Sequence, residues 1–217
     1  MLRKATTFLA LALTCFPGSA ADTSFASLDE YLSNVGGSKP AQMAIADDSE
    51  HVFGMAQWPC LSKHSCSSGT RYVASVFVLS KMPNGQLKEV THSAPLFEWA
   101  ENAHGVGMDG TERKRPYSFS VSFHHFSPSG REVFSFVRRG STWLLAGIDC
   151  GFIWKDDGDE AVGDSISNKS IILLTGRAIE TRYKANKLHT TIPTKVPIRR
   201  IPLSSFSPDF EDFSTCP

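Results

Sequence analysis

The chain has 217 residues, 41% of them hydrophobic and 20% charged, with 22 basic and 22 acidic side chains and no formal net charge. That size fits one folded domain with a substantial core. The balanced charge excludes a polyanion-binding field, so nucleic acid is not an expected partner.

Residues 1–20 read as a secretory signal peptide. Arg3 and Lys4 give a positive start, "FLALALTCF" (8–16) is a short apolar run, and Pro17 breaks it. Gly18 and Ala20 suit cleavage after Ala20. The run is shorter than the ~20 apolar residues that span a bilayer, and no later run is long enough. Cleavage would leave 21–217 as a single β-rich domain, periplasmic or secreted, without an integral membrane segment.

Next, Ser27 caps a short helix with Glu30 in capping-box position. Leu28, Tyr31 and Leu32 share one face, and Gly36–Gly37 stops it. "RYVASVFVLS" (71–80), the turn "PNG" (83–85) and "QLKEVTH" (86–92) form a hairpin. Residues 95–116 open as a short strand or helical turn and become a Gly-rich, charged loop. An exposed Trp99, beside Glu98 and His104, would suit a protein-recognition patch; core packing is the plainer reading.

"YSFSVSFHHF" (117–126) carries the clearest pattern. Tyr117, Phe119, Val121, Phe123 and His125 fall on one face, and Ser118, Ser120, Ser122 and His124 on the other. Strict alternation predicts a strand with one buried and one wet face. The adjacent histidines point to opposite faces and cannot share a metal. The other histidines lack ligand spacing, so no metal is expected. His124 with Ser120 and Ser122 makes a polar stripe, a candidate binding surface against the plainer reading of a solvated face. "SPSG" turns the chain, "REVFSFVRR" (131–139) returns, and "TWLLAGIDC" (142–150) completes a meander. The near-continuous apolar order of this last strand predicts a central position, covered on both faces.

"GFIWKDDGDEAVGD" (151–164) reads as a polar loop. Its acidic residues lack EF-hand spacing. Residues 165–184 form another hairpin, turning near Thr175–Gly176. The proline-rich tail (188–217) is expected to wrap the surface. The predicted fold class is mainly β: an antiparallel sandwich or barrel-like sheet with a short N-terminal helix.

Without the signal, Cys60, Cys66, Cys150 and Cys216 remain. An even count in an exported chain implies two disulfides. Three pairings are possible; sequence proximity favours Cys60–Cys66 and Cys150–Cys216. In the chain-entropy model these rings contribute about 2.4 and about 4.4 kcal/mol. A paired Cys150 cannot act as a thiolate nucleophile. The chain holds no "GxSxG", no phosphate loop and no distinguished pair of carboxylates.

"RRGSTWLLAGID" (138–149) and "SIILLTGRA" (170–178) resemble a broad group of exported bacterial β-domain proteins, some of them similar to periplasmic lysozyme-inhibitor and immunity proteins. Ile172 stands where that group often has Asn, and the Asp-rich metal loops of some relatives are missing. The resemblance implies an exported β protein and transfers no catalytic residue. The expected function is therefore a cell-envelope binding protein, an inhibitor or immunity factor acting through contacts with another envelope or secreted protein, without a cofactor. The alternative is an envelope hydrolase built on His124 and a loop carboxylate.

Overall fold

The computed structural model describes residues 23–60, 71–96, 105–109, 117–126, 129–154, 165–184 and 187–207. In chain order they form β1 (Ser24–Phe25), α1 (Leu28–Gly36), β2 (Gln42–Asp47), β3 (His51–Pro59), β4 (Tyr72–Lys81) and β5 (Leu87–His92). There follow β6 (Gly105–Asp109), β7 (Ser118–Phe126), β8 (Ser129–Arg139), β9 (Thr142–Trp154), β10 (Ser165–Ile172), β11 (Arg177–Lys184), β12 (Lys187–Lys195) and β13 (Ile201–Pro202). A 3-10 turn, Leu203–Ser205, comes last.

Two antiparallel sheets result. The first has the order β1-β5-β4-β3-β2, the second β12-β11-β10-β9-β8-β7-β6, with β13 beside β9. The sheets keep separate ladders, so the architecture is a sandwich and not a closed barrel.

The helix forms where capping chemistry predicts. Ser27 Oγ accepts the Glu30 N–H at 3.2 Å, and the Glu30 carboxylate accepts the Ala26 N–H at 2.6 Å. Gly37, at φ 69°, ends it. Its buried Tyr31 and Leu32 cover the outer side of the first sheet, where Val52, Ala56, Trp58, Phe77 and Leu79 lie. The inner side carries Phe53, Met55, Val76 and Val78, which pack on Phe119, Phe136 and Trp143 of the second sheet. The Phe53 and Phe119 rings stack at 4.9 Å. The layers are thus helix, first sheet, second sheet. The first sheet is covered on both sides, whereas among the described residues no helix lies against the outer side of the second.

The two hairpins and the meander stand where predicted, with Gly85, Gly140 and Gly176 at positive φ in their turns. Several expectations need correction. The apolar run of β9 does not mean two covered faces: Asp149 is exposed. The β8–β9 ladder pairs Ser135 with Gly147 but Phe136 with Leu145, so Ala146 is an extra residue. This bulge reverses the alternation. Trp143 and Leu145 point inward before it, Ile148 and Cys150 after it. One inward row with a phase change reads in sequence as an unbroken apolar stretch.

The tail does not simply wrap the surface. Part of it is the edge strand β12, and Leu203 and Phe206 are core residues. The Phe206 ring lies 5.1 Å from Phe134 and 5.1 Å from Phe136. Residues 105–109, expected in a loop, form edge strand β6 on β7. Strand β9 runs on to Trp154, four residues into the expected polar loop; 155–164 lie outside the described residues.

Candidate functional site

The outer side of the second sheet is built from rows of residues in register. One row runs Val133, Asp149, Ser170, Ile179, Pro193 across β8 to β12. The next runs Ser135, Gly147, Ile172, Arg177, Lys195. Glycines keep the floor low at β9. A Cβ on Gly147 would stand 2.9 Å from the Ile171 carbonyl oxygen, and one on Gly151 2.6 Å from Asn168 Oδ1.

Two shallow depressions adjoin there. One, of about 380 Å³, is lined by Arg131, Val133, Asp149, Gly151, Asn168 and Thr181; the other, of about 440 Å³, by Ile172, Arg177, Pro193 and Lys195. They share Ser170 and Ile179, so together they form one trough. Ile172 and Ile179 are diagonal neighbours in its middle, each 46% exposed. Sequence reading missed them. Their signal was available: outward positions of a two-strand hairpin that are isoleucine where a wet face should be polar.

The predicted stripe lies on β7, toward the β6 edge of the same sheet. Ser122 is buried, and Ser120 shares a 2.9 Å hydrogen bond with Ser135 Oγ on β8. The stripe is therefore not an open wet face: Ser122 is covered and Ser120 is paired across the strands. His124 pairs in register with Arg131 and Gly105. Trp99 lies outside the described residues. The two described cysteines, Cys60 and Cys150, do not lie at disulfide distance from one another. Cys66 and Cys216 lie outside the described residues.

Two histidine–carboxylate pairs occur elsewhere among the described residues. His92 Nδ1 and Glu89 Oε1 are 2.8 Å apart on β5, beside the buried Tyr31 phenol. The hydrogen bond with His92 holds the Glu89 carboxyl below its usual range, and the same bond raises His92. Burial, with the Glu89 charge adding, pushes Tyr31 well above the ordinary tyrosine range. The short Glu89–His92 contact favours the charged forms of both groups, which makes it an ion pair beside a phenol that burial keeps protonated.

The second pair sits at one end of the sandwich. His51 is buried against Phe53, Trp143 and Tyr117, with ring centroids 5.7, 5.8 and 6.3 Å away. Its Nδ1 is 3.5 Å from Asp48 Oδ1 and makes no hydrogen bond. Asp48 instead accepts the Glu50 and His51 N–H groups at 2.8 and 2.6 Å, closing the β2–β3 turn. Tyr117, a non-glycine residue at φ 64°, is held by the Arg138 guanidinium 5.5 Å from its ring centroid and by the Arg138 N–H on its carbonyl.

Among the described residues no group of three or more His, Cys, Asp or Glu could hold a metal, and no helix is long and apolar enough to cross a membrane. No protein-family model, curated protein or solved structure matches this chain.

Proposed function

We propose that the protein is an exported, disulfide-stapled binding protein of the cell envelope, an inhibitor or immunity factor that engages another protein through the outer side of its second sheet. The pairings Cys60–Cys66 and Cys150–Cys216 belong to this proposal. The observation that carries it is the Ile172–Ile179 pair, half-exposed at the centre of a trough whose rim is charged. An apolar centre inside a polar rim is the anatomy of a recognition patch. The hydrolase alternative gains no support from this side of the sheet. Its described carboxylate, Asp149, lies on β9, two strands from His124 on β7 and thus about 10 Å across the ladder.

Affinity capture from an envelope extract tests this, with the unmodified mature chain and an Ile172→Asp/Ile179→Asp variant as baits. A specific protein retained by the first and lost by the second is expected. Identical recovery on both baits would refute the role of this surface.

A further inference from the structure

We propose that the partner presents an acidic segment to the trough, with an apolar side chain on Ile172, Ile179 and Pro193 and a carboxylate on the facing pair Arg177 and Lys195. This rests on the trough being the recognition surface.

Arg177 and Lys195 are directly opposite in the β11–β12 ladder, and both are exposed. Side chains at such positions stand about 5 Å apart at Cβ, where like charges repel. Neither has an ion pair or side-chain hydrogen bond among the described residues, whereas Lys81 is bound to Asp47 at 2.6 Å and Arg182 is paired with Glu180. Asp149, the anion of the trough, stands on β9, two strands from Arg177. The two cations thus concentrate positive charge next to exposed apolar surface. A guanidinium fork beside an ammonium suits a carboxylate.

The segment lies across the face and does not extend the sheet. Val196 N–H bonds the Gly176 carbonyl at 3.0 Å, opposite which the ladder begins. By antiparallel alternation the nitrogens of Lys195 and Pro193 then face the free edge, and proline has no hydrogen to offer there.

The test uses fluorescence anisotropy of the mature chain with a labelled decapeptide of alternating Val and Glu, and matched peptides with Gln or Lys replacing Glu. The Glu peptide should bind, more weakly as salt rises between roughly 50 and 300 mM. The Gln peptide and the Arg177→Glu/Lys195→Glu variant should each show about a tenfold or greater loss. The Lys peptide should not bind. Circular dichroism should be unchanged, since the altered side chains are exposed. No binding of the Glu peptide at about 1 mM would overturn the proposal. So would equal binding of the Glu and Gln peptides. Binding lost in Ile172→Asp/Ile179→Asp but kept in Arg177→Glu/Lys195→Glu would overturn the acidic assignment and leave the recognition surface standing. Binding untouched by either variant would overturn both. Tighter binding to phosphatidylglycerol vesicles than to the peptide, abolished by the charge reversal, would replace the protein partner with a membrane. A dimer in sedimentation, dissociated by the isoleucine variant, would replace it with a second copy.

Discussion

Gly36 shows how one missing atom sets the seat of the helix. A Cβ there would fall 1.9 Å from Trp58 Nε1, inside the indole ring that fills the space under the last turn of α1. The ring is buried in the core of the first sheet and has little room to retreat. Gly36→Ala should therefore cost about 1–3 kcal/mol, read as a lower urea midpoint at unchanged slope. At the same scale, Glu89 and His92 make stability depend on pH. His92 is raised in the fold, so its contribution is full below its ordinary value of 6.5 and fades as pH climbs through the raised one. Glu89 is lowered, so its contribution is present above its ordinary value of 4.5 and fades as pH falls through the lowered one. Between those limits both are charged. His92→Gln should thus destabilise at about pH 5.5 and have little effect at about pH 9. The pair is only partly buried, so the difference should stay below about 1 kcal/mol in paired thermal melts.

At the scale of elements, β9 is the strand on which the second sheet depends. The extra residue Ala146 lets Trp143 and Leu145 share a core with Ile148 and Cys150. Deleting Ala146 would turn one half of the strand inside out, since a one-residue slip moves every side chain to the other face. The expected result is loss of the cooperative unfolding transition, seen by near-UV circular dichroism. Strand legibility followed burial. β7 alternates because only one of its faces belongs to the main core, and its pattern was plain in the residues. β3 is buried on both sides from His51 to Trp58 and offers no alternation to read. β6, "GVGMD", holds the edge through backbone pairing with β7, which leaves no trace in side-chain chemistry. Pro193 argued for irregular tail, yet an edge strand accepts proline where its nitrogen faces outward.

For the whole molecule, the described elements cover one sheet twice and the other once, which is why the proposed docking surface lies on the second sheet. α1 takes the outer side of the first sheet, the second sheet takes its inner side, and no described element packs on the trough side. The proposed Cys150–Cys216 staple would tie the end of the chain to β9, one residue past the exposed Asp149. Peptide mapping without reduction should recover fragments holding Cys150 and Cys216 as one linked species, and a free thiol on either would refute that pairing. From the residues alone came the β class, the capped helix, the hairpins and the meander, because alternation, caps and turn glycines are local chemistry. The trough was not legible: Ile172, Ile179, Arg177 and Lys195 come from three strands. Only the register of β10, β11 and β12 puts them side by side, and only the packing of the helix on the first sheet leaves them without a described element above them.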